Sequence, residues 1–122
     1  MARFLLCDDS KFMTMITERM LTKMGHQVVY KSSDGLDAIA YYLDHFKEID
    51  IVLLDVVMPK IDGLQALRQL FEINPDAKIL MLTSISNSSI VGGALKLGAK
   101  DFITKPFKML EFSNAIDKIV SE

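Results

Sequence analysis

The sequence contains a single cysteine, Cys7, so an intrachain disulfide is excluded. Because Cys7 lies inside an apolar run, we interpret it as a small buried hydrophobe in a reducing, cytoplasmic environment. The two histidines, His26 and His45, have no metal-ligand spacing with each other or with the cysteine. A site built from cysteine and histidine ligands is therefore not indicated.

The sequence has neither an excess of positive charge nor a long apolar stretch. The 14 basic and 16 acidic side chains give a formal net charge of −2, and no basic patch stands out that would gather phosphates, which argues against direct nucleic-acid binding. No apolar stretch approaches the roughly 20 residues that cross a bilayer. The N-terminus lacks the charged, apolar and small-residue sections of a signal peptide. We expect neither a nucleic acid nor a membrane as partner.

The composition is that of a folded domain. Half of the 122 residues are hydrophobic and 25% are charged, a balance typical of globular proteins. This length suits one compact unit with a sizeable core and is short for two. We expect residues 1–122 to form a single domain.

Short apolar runs alternate with segments of helical periodicity. The runs cover residues 4–7, 28–30, 51–54, 79–82 and 102–104. The helical segments repeat apolar residues at spacings of three or four, namely Met13, Ile16, Met20 and Met24; Ile39, Tyr42, Leu43 and Phe46; Leu64, Leu67 and Phe71; and Met109, Phe112, Ile116 and Ile119. Five strands alternating with five helices predict an α/β fold, a doubly wound parallel sheet covered on both faces. Runs two and five are bounded by polar residues, which predicts edge strands and the order 2-1-3-4-5.

Helix ends are marked by residues suited to capping. Ser10, Asp62 and Ser86 are predicted N-caps, and Gly25 and Gly98 stand where helices should end. We assign the Asp62-Gly63 pair to this turn and helix-start geometry rather than to chemistry.

The fourth helical segment contains two adjacent glycines, Gly92 and Gly93. Each costs a helix roughly 1 kcal/mol relative to alanine. Either this helix is locally soft, which suits an element that repacks, or the glycines permit close packing on the sheet, and the sequence favours neither.

Polar side chains follow the apolar runs at four places: Asp8 and Asp9 after the first, Asp55 after the third, Thr83 after the fourth and Lys105 after the fifth. The carboxyl ends of parallel strands meet at one edge of the sheet, where ligands bind in such folds. Carboxylates about 4 Å apart repel by on the order of 4 kcal/mol per pair at an effective dielectric of 20. Oxygen-only ligands that need a cation favour Mg²⁺, with Mn²⁺ as the alternative.

The other polar groups suit a phosphoryl group. Asp55 is the candidate nucleophile, Lys105 supplies positive charge and Thr83 supplies a hydroxyl donor. Taken singly, each has a simpler explanation as a solvated acid, a turn cap, a loop residue or a surface lysine. Jointly those explanations require a coincidence at four strand ends, so a phosphoryl site is favoured.

The motifs "CDDS", "LLDVVMPKIDG", "MLTS" and "GAKDFITKPF", in this order and spacing, resemble the receiver domains of two-component response regulators. The resemblance covers essentially the whole chain and is nearest to the stand-alone chemotaxis type. It implies a flavodoxin-like three-layer α/β/α fold and a phosphorylation-activated signalling switch. Such a protein is not an enzyme beyond catalysing its own phosphorylation and dephosphorylation.

The resemblance also implies roles for individual residues. Asp55 matches the phosphorylated aspartate, and the implied Mg²⁺ ligands are Asp9 directly, Asp8 through water, Asp55 itself and the backbone carbonyl of Val57. Thr83 and Lys105 match the hydroxyl residue and the lysine that contact the phosphoryl group. Phe102 matches the aromatic residue that becomes buried when the hydroxyl side chain turns toward that group. The Lys105-Pro106 bond is expected to be cis.

Two positions depart from the usual pattern of the family. Val57 and Ile85 lie two residues after Asp55 and Thr83, where polar side chains often influence the attack of water. Both are apolar here and cannot orient a hydrolytic water. We therefore hypothesise slow self-dephosphorylation.

The resemblance suggests partners that the residues themselves do not identify. A histidine kinase is the expected phosphodonor, a flagellar motor switch protein the expected target, and a phosphatase an additional partner. We expect a monomer, with dimerisation on phosphorylation as an alternative, and a surface on the last two helices that changes its affinity for a partner.

Other functions stay open at this point. A receiver cut from a larger transcriptional regulator and a phosphorelay intermediate share every motif. A phosphatase of the haloacid-dehalogenase type also uses an aspartate nucleophile with Mg²⁺, but expects a second acid where this chain has Val57. A flavodoxin-like cofactor carrier needs a first loop that cradles phosphate, whereas this loop is acidic.

Overall fold

The computed structural model describes residues 1–84 and 88–122. Its strands and helices alternate along the chain. In order they are β1 (Arg3–Cys7), α1 (Lys11–Lys23), β2 (Gln27–Ser32), α2 (Gly35–His45), a 3₁₀ turn (Phe46–Glu48), β3 (Ile51–Leu54), α3 (Gly63–Ile73), β4 (Ile79–Thr83), α4 (Ser88–Leu97), β5 (Asp101–Thr104) and α5 (Met109–Ser121). Within the described ranges, no helix has both the length and the apolar composition to cross a membrane.

The strands form one parallel sheet in the order β2-β1-β3-β4-β5, which confirms the predicted topology. β3 and β4 are buried along their whole length, whereas the edge strands β2 and β5 mix buried, half-buried and exposed residues. The sheet separates two apolar cores: α2, α3 and α4 cover one face, and α1 and α5 cover the other. The result is a three-layer α/β/α arrangement.

The predicted helix ends lie where the sequence indicated. The Ser10 hydroxyl accepts the Met13 N–H at 3.2 Å, and Asp62 and Gln65 form a reciprocal capping box at the start of α3. The stops after α1 and α4 are glycines in the left-handed region, with φ of 88° at residue 25 and 117° at residue 98. The third predicted cap, Ser86, lies outside the described residues.

Two residues of the predicted apolar stripes are exposed to solvent. Leu43 and Met109 are each 60% exposed. Leu43 lies at the flank of the buried face of α2, where its neighbour Tyr42 fills the core at 1% exposure. Met109 opens α5, one turn before Phe112 reaches the sheet. A spacing of three or four residues does not mark where the edge of a buried face lies.

The two glycines of α4 are not explained by close packing. A Cβ built at residue 92 meets no described atom within 4 Å, and one at residue 93 comes only to 3.9 Å from Leu64 Cδ1, an ordinary contact. The sheet therefore does not require glycine at either position. This favours the alternative, a fourth helix that is locally weak.

We predict that Gly92→Ala raises the free energy of unfolding by up to about 1 kcal/mol, because it removes backbone entropy without a clash. Urea unfolding measures this change. Gly98→Ala is the contrasting control and should lower stability, since its φ is 117° and its Cβ would lie 3.1 Å from the Phe71 ring. A loss of stability on Gly92→Ala contradicts the open environment.

Candidate metal and phosphoryl site

Backbone hydrogen bonds between neighbouring strands bring the predicted site residues to one edge of the sheet. The Asp55 N–H donates to the Cys7 carbonyl at 3.0 Å, so the residue after β3 lies beside the end of β1. The Lys105 N–H donates to the Thr83 carbonyl at 2.7 Å, which places the residue after β5 beside the end of β4. Residues distant in sequence are thereby aligned by the register of the parallel sheet.

Three carboxylates converge at this edge. Asp8, Asp9 and Asp55 each offer an oxygen, and these three atoms lie within 4.8 Å of one another. The Asp8 and Asp55 side chains are 10% and 8% exposed, whereas Asp9 faces solvent. Ligands on opposite sides of a Mg²⁺ ion stand about 4.2 Å apart, and the ion prefers hard oxygen donors and keeps several waters. The acid cluster therefore fits Mg²⁺, with room for water on the side of Asp9.

Lys105 supplies the positive charge within the cluster. Its ammonium lies 2.5 Å from Asp8 Oδ2 and 3.2 Å from Asp55 Oδ2, and its side chain is only 12% exposed. Burial raises the pKa of the Asp8 carboxyl above its usual value, while the hydrogen bonds from Lys105 and from the Ser10 N–H oppose that rise. A nearby cation therefore favours the charged form of Asp8.

Both oxygens of Asp55 have defined partners. Oδ2 faces the Lys105 ammonium, and Oδ1 accepts the Val57 N–H at 3.1 Å. This bond folds the chain after β3 back over the carboxylate and brings the Val57 backbone next to it. Val57 itself is apolar and 46% exposed. Asp55 is thus oriented by the protein yet lies at the sheet edge.

The proposed switch residues lie on the β4 and β5 side of the cluster. Thr83 ends β4 and is fully buried at 0% exposure. Phe102 is half-buried and packs on the core beneath α2, α3 and α4. The Lys105-Pro106 bond is cis, as the resemblance implied. Ile85, the second position predicted to modulate hydrolysis, lies outside the described residues.

Gly63 belongs to the site although the sequence interpretation left it out. A Cβ at this position would lie 2.3 Å from the Asp55 carbonyl oxygen and 2.5 Å from Val56 Cα, and the Gly63 N–H donates to the Val56 carbonyl at 2.7 Å. The start of α3 therefore presses directly on the backbone that carries the Asp55 carboxylate. The capping role of Asp62 explained the Asp-Gly pair so completely that no second signal remained in the sequence.

Cys7, the one thiol near the cluster, is not a competing nucleophile. It is 1% exposed, and burial raises the pKa of its thiol to about 12. The Cys7 thiol donates to the Met58 sulfur at 3.0 Å. Since the thiolate is the reactive form of cysteine, the carboxylates are the nucleophiles that this site offers.

The chain is similar to known proteins in both sequence and structure. The family model described as response regulator receiver domain matches residues 4–117. The chemotaxis protein CheY of Thermotoga maritima is 36% identical over 119 residues, 96% of each chain, and that of Bacillus subtilis is 37% identical over 98% of each. A chain in the crystal structure of the CheX-CheY-BeF3-Mg²⁺ complex from Borrelia burgdorferi aligns with a TM-score of 0.94 at 30% identity, covering 98% of this chain and 89% of that one.

We predict that Gly63→Ala lowers the free energy of unfolding by about 1–3 kcal/mol, because the added methyl group overpacks against the Asp55 and Val56 backbone. It should also weaken Mg²⁺ binding by moving the Asp55 carboxylate. Urea unfolding and Mg²⁺ titration measure the two effects. The matched control is Gly93→Ala, whose methyl group meets only an ordinary contact. Equal stability of the two variants contradicts the close approach at residue 63.

Proposed function

The chain belongs to the response regulator receiver domain family, and we propose on that premise that it is a phosphorylation-activated switch that accepts a phosphoryl group on Asp55. The observation that carries the proposal is the Asp55 carboxylate held between the Lys105 ammonium and the Val57 N–H, beside two further acids. We propose that residues 1–122 act as one receiver domain. Its role is signalling rather than turnover of a substrate.

Transfer to Asp55 forms one bond and breaks one. A carboxylate oxygen of Asp55 attacks the phosphorus of a phosphohistidine on the donor, the O–P bond forms, and the P–N bond breaks with its electron pair returning to the histidine. The product is an acyl phosphate. The chain contributes mainly orientation and charge neutralisation, which is the usual protein contribution to phosphoryl transfer.

Mg²⁺ is the proposed cofactor, with Mn²⁺ as the alternative. Asp8, Asp9 and Asp55 would hold it with the Val57 backbone carbonyl, and the ion would offset the charge of the carboxylates and of the phosphoryl oxygens. The oxygen-only donor set supports this choice over zinc. Lys105 provides the second positive charge from the protein itself.

The switch follows from the added charge. A phosphoryl group brings about −1.5 to −2 charges to an edge that already carries three carboxylates. Lys105 stays paired with it, and the Thr83 hydroxyl turns to donate to a phosphoryl oxygen. Phe102 then moves further into the core, and the surface formed by α4, β5 and α5 changes. Exposed apolar residues, including Leu95 and Met109, lie on these two helices.

The partners and pathway are proposed by analogy with the relatives named above. A histidine kinase is the phosphodonor, and a flagellar motor switch protein is the target if the chain acts in chemotaxis, as the name of its CheY relatives states for them. A phosphatase is a further partner, and the chain acts in the cytoplasm as a monomer that dimerises at most on phosphorylation. A regulator with an added output domain and a phosphorelay intermediate are the other arrangements of the same receiver chemistry.

We predict that Asp55→Asn abolishes phosphoryl incorporation from a small acyl phosphate in the presence of Mg²⁺, because an amide is a poor nucleophile. Intact-mass spectrometry counts the phosphoryl groups, and release by hydroxylamine identifies an acyl phosphate. Asp76→Asn, an exposed acid in the turn before β4, is the control and should keep full incorporation. Labelling of the Asp55→Asn protein at the wild-type level contradicts the acceptor assignment.

We also predict slow loss of the phosphoryl group, with a lifetime of minutes or longer, because the apolar Val57 side chain shields Asp55 and cannot orient water. Val57→Asn should shorten this lifetime several-fold, whereas Val57→Ile should leave it unchanged. Both variants keep the backbone N–H that bonds Asp55 Oδ1. Phosphate release measures the rate. A wild-type lifetime of seconds in Mg²⁺ without a phosphatase contradicts the shielding role.

A further inference from the structure

Asp34, which lies outside the acid cluster, connects several of the segments that build it. Its Oδ1 accepts the Asp37 N–H at 2.8 Å and so caps α2. Its backbone carbonyl accepts the Ser32 hydroxyl at 2.8 Å, at the end of β2, and lies 3.5 Å from the Cys7 sulfur, at the end of β1. The residue thereby joins β1, β2 and the start of α2 at the edge of the sheet where the acids converge.

The second carboxylate oxygen of Asp34 reaches the loop between β3 and α3. Its Oδ2 lies 3.5 Å from the Lys60 ammonium. Lys60 has φ of 74°, and among the residues that the structure describes it is the one non-glycine with positive φ. A side chain with a Cβ disfavours this left-handed region. The loop therefore adopts a conformation that needs support at Lys60.

The neighbouring residues of the two segments also touch. A Cβ at Gly35 would lie 2.7 Å from Ile61 Cγ1, so only glycine lets the start of α2 approach the loop this closely. The pKa of Asp34 is lowered first by the backbone bond to Asp37 and further by the charge of Lys60. A charge pair and an apolar contact thus join the same two segments.

We propose that Asp34 and Lys60 are positioning residues, which hold the β3–α3 loop so that the Val57 backbone stays against the Asp55 carboxylate in the geometry that a divalent cation requires. The inference rests on the proposed function. Neither residue touches the phosphoryl group or the ion. They act through the loop, which carries Val57 near its start and meets Gly63 at its end.

The alternative is that Asp34 only caps α2. Asparagine caps a helix about as well as aspartate but carries no charge, so Asp34→Asn removes the ion pair and keeps the cap. Lys60→Gln removes the same pair from the other side, and Lys60→Arg keeps the charge. Lys31→Gln is the matched control, because it removes an exposed ion pair with Glu18 near the same edge but none with the loop.

Two measurements separate positioning from general stability. The first is the Mg²⁺ dissociation constant of the unphosphorylated protein. The second is amide hydrogen exchange without metal at Ile61 and Gly63, whose N–H groups donate to the Pro59 and Val56 carbonyls at 2.9 and 2.7 Å. A variant that merely destabilises the fold accelerates exchange throughout the core strands. Loss of the ion pair to the β3–α3 loop instead accelerates exchange at these two amides alone.

Asp34→Asn and Lys60→Gln should each raise the Mg²⁺ dissociation constant about two- to fivefold, the range expected from a partly exposed ion pair. Each should accelerate exchange at Ile61 and Gly63 by a similar factor. The double variant should lose no more Mg²⁺ affinity than either single variant, because both substitutions remove the same interaction. Lys60→Arg and Lys31→Gln should match wild type.

Unchanged Mg²⁺ affinity in both single variants, or additive losses in the double variant, overturns the inference. Acceleration of exchange throughout the sheet does so as well, since it assigns Asp34 and Lys60 to stability alone. Failure of the wild-type protein to bind Mg²⁺ is a different result: it overturns the proposed function and the inference with it. Normal wild-type binding with unchanged variants removes only the inference.

Discussion

The structure depends on the balance of charge where the Lys105 ammonium meets the Asp8 and Asp55 carboxylates. Two like charges about 4 Å apart repel by on the order of 4 kcal/mol at an effective dielectric of 20. Here one oxygen from each of three carboxylates lies within 4.8 Å of the others. One ammonium offsets only part of that charge. The carboxyl edge of the sheet can therefore form with Lys105 in place, and its remaining negative charge still favours a cation nearby.

That arrangement requires a parallel sheet. The acids follow β1 and β3, the lysine follows β5 and the hydroxyl ends β4, so they meet only because these strands run in the same direction and in register. The strands can be continuously apolar because helices cover both faces. This explains why an apolar run such as "FLLC" passes directly into "DD": the run anchors the strand, and the acids stand where the covered sheet ends.

Much of this could be predicted from sequence, because it depends on local patterns with a fixed period. The five strands, their order and the convergence of Asp8, Asp9, Asp55 and Lys105 all follow from apolar runs and the polar residues after them. The approach of Gly63 to the Asp55 backbone and the pairing of Lys60 with Asp34 could not be predicted, because they depend on the path of a loop. The exposure of Leu43 shows a second limit of prediction from sequence, since periodicity gives the direction of a buried helix face but not its width.

The two sides of the acid cluster are supported differently, and this bears on which side switches. On the β1 and β3 side, the Gly63 backbone abuts Asp55, and Asp34 joins β1, β2, α2 and the β3–α3 loop through its cap, its carbonyl and its second oxygen. On the β4 and β5 side, Phe102 is only half-buried, and α4 carries two glycines that no contact with the described residues requires. The negative charge of a phosphoryl group would act on both sides, but the side that rearranges is the one whose repacking costs less free energy. We therefore expect the rearrangement on the side of α4 and β5, while the proposed acceptor Asp55 and the proposed metal ligands keep their positions.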